Sequence, residues 1–206
     1  MKIENNKNLK EFTTFRIGGQ ALFFCYVRSE SELLEALDFA KTKRVPFFVL
    51  GGGSNILVSD EGFQGLVIKM EIKGVEYIPD ENGNVQVIAK AGEDWDSFVE
   101  ECVKKDLYGI ENLSYIPGTV GAAPVQNIGA YGSEAKDTID SVRAFDTKKG
   151  EFLNISNLDC HFSYRDSLFK RESGRFIIIS ITFILKKEGK VNVGYKDVRD
   201  HFSKKD

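Results

Sequence analysis

Pro46-Phe47-Phe48-Val49-Leu50-Gly51-Gly52-Gly53-Ser54-Asn55-Ile56-Leu57-Val58 decides which fold the chain can take. The apolar run Pro46 to Leu50 reads as a short strand, and three successive glycines follow it. Gly51-x-Gly53 after a strand invites a Rossmann reading. That fold needs the turn to open a helix, whose N-terminus holds the pyrophosphate. Here the next residues, Ile56-Leu57-Val58, predict another strand, and Ile56 stands where the third glycine belongs. A P-loop is excluded too, because no Gly-Lys-Ser/Thr follows. What survives is a strand–turn–strand element with several free amides plus Ser54 and Asn55, which can bind phosphate without a helix dipole. A plain tight turn is the blander alternative, but three glycines are more than a turn requires.

Upstream, Thr13-Thr14-Phe15-Arg16-Ile17-Gly18-Gly19 precedes an apolar strand from Ala21 to Val27. Ser29 and Glu32 are spaced as a capping box, and Leu33, Leu34, Ala36, Leu37 and Ala40 recur at helical spacing, which predicts an amphipathic helix over 30–43. Downstream, Leu66 to Met70 closes this unit as a strand. A second unit starts near residue 71. Val75, Tyr77 and Pro79 alternate into Asn82-Gly83, and Val85, Val87 and Ala89 alternate out, as in a hairpin with a type I′ turn. Asp94 caps a helix that sets Trp95, Phe98, Val99, Cys102 and Val103 on one face and ends near Leu107-Tyr108-Gly109. Trp95 and Cys102 read as core. Strands Thr138 to Phe145 and Glu151 to Ile155 flank the turn at 147–150. A short helical turn is expected over Asn154 to Cys160, a long strand over Arg175 to Leu185, and a polar trailing segment from Asn192 to Asp206.

A second unusual stretch runs from Ile116 to Gly132. No residue from Asn112 to Ser133 is charged, in a chain that is 29% charged. Two prolines and four glycines between Ile116 and Gly132 break both the helix and the strand period, and they rule out a membrane span. An ordinary buried connection is the blander alternative, but loops this long without structure of their own are usually functional or disordered, and the low charge and regular apolar content oppose disorder. Glycine lets main chain approach a ligand closely, so its amides can do the binding.

The net charge of −3 opposes general binding to nucleic acid or to a membrane surface. The first six residues lack the apolar core of a signal peptide. Cys25, Cys102 and Cys160 are too few and too scattered for a disulfide framework or a zinc site, and with only His161 and His201 beside them no metal site is expected. The chain reads as cytoplasmic.

Four stretches in this order resemble the UDP-N-acetylenolpyruvoylglucosamine reductases, the MurB flavoenzymes of peptidoglycan synthesis. They are Thr14-Phe15-Arg16-Ile17-Gly18-Gly19, Leu50 through Leu57, Ile116-Pro117-Gly118 through Asn127-Ile128-Gly129-Ala130-Tyr131-Gly132, and Tyr164-Arg165-Asp166-Ser167. The resemblance runs from about Phe12 to Tyr195. It implies an α+β, non-Rossmann FAD-binding fold of the PCMH/vanillyl-alcohol-oxidase type. Two FAD-binding subdomains would occupy 1–70 and 71–187, and 188–206 would begin a substrate-binding domain that is largely absent.

FAD would be held non-covalently, with NADPH as hydride donor and a UDP-sugar as substrate. Gly51, Gly52, Gly53, Ser54 and Asn55 would take the pyrophosphate. Ile116, Pro117, Gly118, Thr119, Gly121, Ala122, Asn127, Gly129, Ala130 and Tyr131 would line the flavin. Ala122-Ala123 stands where some relatives carry hydroxyls, so one or two side-chain contacts are missing. Arg165 matches the catalytic arginine that would stabilise an enolate, against the blander reading of a surface arginine paired with Asp166. Tyr164 and, more loosely, Tyr195 match substrate contacts.

The family's proton donor, a serine or cysteine in a third domain, and its late glutamate have no match here, and Ser167 and Ser203 stand in the wrong contexts to replace them. A flavin-binding module or fragment without turnover is therefore the alternative reading. An oxidase of the same fold that links flavin through histidine ranks below it, because His161 and His201 lie outside both glycine loops.

Overall fold

The computed structural model describes residues 1–203. Residues 204–206, the end of the segment expected to trail off as polar chain, lie outside the described residues. The first sheet contains β1 (Ile3–Asn8), β2 (Gln20–Val27), β3 (Phe47–Leu50) and β4 (Phe63–Met70). Its order is β1-β2-β4-β3, with β1 antiparallel to β2 and β4 parallel to both β2 and β3. Between β2 and β3 runs α1 (Glu30–Lys43). It starts as the capping spacing predicts, with the Glu32 amide donating to Ser29 Oγ at 3.1 Å. The reciprocal arm differs, since Glu32 accepts from the Arg28 amide rather than from Ser29.

A second sheet is built from β5 (Val75–Pro79), β6 (Asn84–Lys90), β9 (Ile139–Asp146), β10 (Glu151–Ser156) and β11 (Phe176–Lys186). It is wholly antiparallel, in the order β10-β9-β11-β6-β5. The two-residue strands β7 (Gly129–Ala130) and β8 (Ser133–Glu134) pair by themselves. Helix α2 (Trp95–Lys104) packs Trp95, Phe98, Val99 and Cys102 inward, with Asp94 accepting from the Ser97 amide. Val103, expected on that face, is exposed. The Trp95 indole donates to the Leu113 carbonyl at 2.7 Å, which satisfies its one donor in the core. Short helices α3 (Leu168–Arg171) and α4 (Lys196–Phe202) complete the chain.

One buried cluster joins both sheets, from Cys25, Leu33 and Ile68 to Trp95, Phe183 and Leu185. A smaller cluster of Leu9, Ala21, Phe24, Leu50 and Val67 covers the other face of the first sheet. Arg143 on β9 reaches Glu30 at the start of α1 through two hydrogen bonds of 3.1 and 3.2 Å, tying the sheets together at their rim.

Four sequence expectations change. Ile56-Leu57-Val58 is not a strand. β3 and β4 are parallel neighbours, so the chain must travel back the length of the sheet between them, and residues 56–58 serve as that return segment without pairing to a strand. Ile56 and Val58 pack against the smaller cluster instead. The hairpin at Asn82-Gly83 is not type I′, because only Gly83 has positive φ. The Asp80 amide donates to the Asn84 carbonyl and the Asp80 carboxylate accepts from the Asn82 and Asn84 amides, closing a three-residue loop with its left-handed residue last. Asn154 to Ser156 is still strand, and the expected helical turn is confined to the residues that follow it. Finally, Lys196–Phe202 is helical and buries no side chain.

Asp146 is fully buried where β9 turns into β10. It accepts from Arg175 at 2.9 Å and from the Lys148 amide at 2.9 Å. Arg175 above all, and then the Lys148 and Lys149 amides, hold its carboxyl below the ordinary 3.8. A carboxylate depressed in the fold stabilises above its unfolded value, and that contribution is lost as pH falls through the folded one. Asp146→Asn is therefore expected to lower the melting temperature at pH 7 by about 5 °C. It should also flatten the loss of stability in acid, as read by thermal melts between pH 7 and 3. Parallel pH profiles for the two proteins would contradict this.

Candidate active site

The site forms where the turn after β3 meets the uncharged loop. Among the described residues, no backbone amide from Gly51 to Asn55 donates to a protein acceptor, and neither do the amides of Gly118 and Thr119. The residues that carry these amides line one space, and free amides gathered in this way suit an anion. Ser54 Oγ donates to the Pro117 carbonyl at 3.1 Å, and the Asn55 amide side chain donates to Gln126 at 3.3 Å, so the loops are fastened to one another. A Cβ at Gly52 would sit 2.8 Å from Gly118 Cα. Gly53 has φ +72, and a Cβ there would lie 1.8 Å from the Phe12 carbonyl oxygen. The Thr14 amide donates to the Gly53 carbonyl, so the segment around Thr13 and Thr14 braces the turn from behind.

Between the loops lies a cavity of about 410 Å³. Of the residues expected to bind cofactor, Gly51 to Asn55, Ile116 to Thr119, Gly121 and Ala122 line it. The sequence reading missed its far wall, Phe169, Ser173, Gly174 and Phe176 to Ile178, which β11 and the chain before it supply. The turn glycine before a long apolar strand was visible, but nothing local linked it to a loop some fifty residues earlier. Gln126 and Lys69 were missed as well. Lys69 Nζ donates to the Gly51 carbonyl and does not itself line the cavity. No charged side chain lines the cavity among the described residues.

Asn127, Gly129, Ala130 and Tyr131 lie outside the cavity lining and belong to a second cluster with the 161–171 turn. Asn127 is fully buried and left-handed, with φ 44. Its side chain donates to the Ser163 carbonyl at 3.1 Å and accepts from the Lys136 amide at 3.0 Å. Ser167 Oγ donates to the Val125 carbonyl at 2.6 Å. These bonds fix the turn that carries Tyr164 and Arg165. Arg165 itself has φ 54, a conformation few non-glycine residues adopt. Its Nη2 donates to the Gly129 carbonyl at 2.7 Å, and its guanidinium lies 5.8 Å from the exposed Tyr164 ring. Asp166 pairs with Arg171, not with Arg165. The Lys136 ammonium, then Asn127 and Arg165, holds Glu134 below the usual carboxylate range. Tyr195 stacks edge-on to Tyr131 with centroids 5.7 Å apart, which brings it to the same end of the site.

The three cysteines are buried, and burial pushes each thiol up to about 12. No group of three or more His, Cys, Asp or Glu among the described residues could hold a metal ion, and no helix there is long and apolar enough to cross a membrane.

Residues 21–156 match the model of a family described as an FAD binding domain. The UDP-N-acetylenolpyruvoylglucosamine reductase of Neisseria gonorrhoeae is 47% identical over 197 residues, which cover 95% of this chain and 57% of that protein. The chain thus spans a little over half the length of such curated relatives. The crystal structure of the corresponding Thermus caldophilus reductase, MurB, superposes with a TM-score of 0.74 at 27% identity, covering 99% of this chain and 68% of that one. A solvent-stable cholesterol oxidase shares the fold at a TM-score of 0.59 and 16% identity. The matched region exceeds half the chain and contains the first glycine turn and the whole uncharged loop, and the chain belongs to the FAD-binding domain family.

Proposed function

We propose that this chain is the FAD-binding part of a UDP-N-acetylenolpyruvoylglucosamine reductase, which uses NADPH to reduce the enolpyruvyl double bond of a UDP-sugar in cytoplasmic peptidoglycan precursor synthesis. The observation that supports it best is the pair of fastened loops whose residues carry unpaired amides and line one cavity. A diphosphate suits such a cradle, since each phosphate oxygen can accept an N–H without a helix terminus. Gly51 to Asn55 would hold the diphosphate, and Ile116 to Ala122 the ring system. We take 1–70 and 71–187 as the two FAD-binding subdomains and 188–206 as the start of a substrate domain.

FAD supplies hydride transfer when bound; the chain's own residues supply binding and electrostatics. Hydride addition to an enolpyruvyl carbon drives negative charge onto the adjacent carboxylate. Arg165 suits that charge because it is always protonated and grips a carboxylate with two donors. Tyr164, exposed beside Arg165, and Tyr195, exposed against Tyr131, would contact the sugar. A second reading, FAD binding without turnover by this chain alone, draws support from the candidate proton donors. Ser167 is buried and donates to Val125, Ser203 donates to the Asp200 carbonyl, and all three thiols are buried.

The purified chain is expected to be yellow, with a flavin band that stays in solution when denatured protein is precipitated. NADPH should bleach that band, and the enolpyruvyl UDP-sugar should restore it. Bleaching without restoration would favour the second reading. A colourless chain that takes up no added FAD would end both.

A further inference from the structure

A dianionic diphosphate in this cradle would meet only neutral groups, since no charged side chain among the described residues lines the cavity and the glycine turn opens no helix. The cation at hand stands one peptide behind. Lys69 faces Leu50 across the β3–β4 ladder, and its Nζ donates to the Gly51 carbonyl. Lys69 does not line the cavity, whereas Gly51 and Gly52 do, so the ammonium approaches the turn from the side away from the ligand space. The Gly51 carbonyl and the Gly52 amide share one trans peptide plane and point in opposite directions. Holding the carbonyl on the lysine side therefore aims the Gly52 amide the other way.

The placement is costly without a ligand. Lys69 is half-buried, forms no ion pair among the described residues, and is held below the usual lysine range chiefly by burial. Glu71 opposes that shift and Lys73 adds to it. An ammonium in such a position is compensated when an anion settles nearby.

We propose that Lys69 is the positioning residue of the diphosphate cradle: it pins the Gly51–Gly52 peptide with its amide towards the ligand and sets a fixed positive charge behind the bound diphosphate. The inference rests on the FAD reading above and names the group on which FAD affinity depends.

The test titrates wild type, Lys69→Arg, Lys69→Gln and Lys69→Met with FAD at several salt concentrations, beside thermal melts of the flavin-free proteins. Lys69→Met is expected to weaken FAD binding by about 10- to 30-fold. It should also make affinity less dependent on salt, because a charge that salt screens has been removed. Lys69→Gln keeps a donor without the charge and should fall between. Lys69→Arg should stay within about threefold of wild type. Flavin-free melting should not drop across the series. Equal FAD affinity in wild type and Lys69→Met overturns the inference and leaves the FAD reading standing. Weaker binding with an unchanged salt slope, or with a matching fall in flavin-free melting, overturns it in favour of a structural lysine. A wild-type chain that takes up no FAD overturns both.

Discussion

Gly52→Val should yield a folded but colourless protein, with FAD affinity at least about 100-fold below wild type, or roughly 2.7 kcal/mol. The expectation comes from what a side chain at Gly52 would meet. Its Cβ alone would stand 2.8 Å from Gly118 Cα and 3.1 Å from Gly118 C, against ordinary carbon contacts of about 3.5–4.0 Å. Both partners are backbone, so no rotamer change relieves the clash. The loops must separate, and the bonds Ser54 Oγ to Pro117 and Asn55 to Gln126 lie beside the point of contact. Separation would break these bonds and pull apart the two loops proposed to hold the cofactor. Gly52→Ala should show the same direction with a smaller effect.

Stability gives the control. Gly150 is also a turn glycine, with φ +74, but a Cβ there meets nothing within 4 Å. Gly150→Ala should cost about 1 kcal/mol of backbone strain while leaving FAD affinity unchanged. Titration of both variants with FAD, beside flavin-free melts, separates a damaged cradle from a damaged fold. If Gly52→Val bound FAD within tenfold of wild type, the loop contact would not be where the cofactor sits.

The sequence declared what local periodicity controls and hid what topology controls. Leu33, Ala36 and Ala40 announced α1, and Trp95, Phe98, Val99 and Cys102 announced α2, because a helix buries one stripe whatever lies elsewhere in the chain. Ile56-Leu57-Val58 carried the same local signal for a strand and failed, because the parallel pairing of β3 and β4 turns that stretch into a return path. The glycine turn and the uncharged loop stood out from composition alone, and both line the cavity between them. Their fastening through Gln126 and the lysine beneath Gly51 were not, since each joins residues far apart in sequence or on neighbouring strands. Asn127 shows the limit from the other side. Composition marked it only as part of the loop, and its side chain's bonds to the turn at Ser163 and to Lys136 could not be read there.

Arg165 should separate activity from stability. Arg165→Gly is expected to melt no lower than wild type and to take up FAD normally. Reduction of enolpyruvyl UDP-sugar in a single turnover should be slower by about 10²- to 10³-fold. The stability half of the expectation follows from φ 54, where a β-carbon costs roughly 1–2 kcal/mol and glycine costs nothing sterically. Against that gain stands the loss of one hydrogen bond, Nη2 to the Gly129 carbonyl at 2.7 Å. The turn keeps its other fastenings, because Ser163, Ser167 and the Arg165 carbonyl, which accepts from Lys170 Nζ, are untouched. The activity half follows from electrostatics. Asp166 is already paired with Arg171, so the Arg165 guanidinium has no carboxylate partner on its own turn and is free to meet one on a substrate. Arg165→Lys keeps the charge without the two-pronged grip and should recover only part of the rate. A residue retained in a strained conformation solely for packing would behave in the opposite way, losing stability and leaving chemistry alone. Equal single-turnover rates in wild type and Arg165→Gly would remove Arg165 from the reaction and leave its left-handed backbone without a functional account.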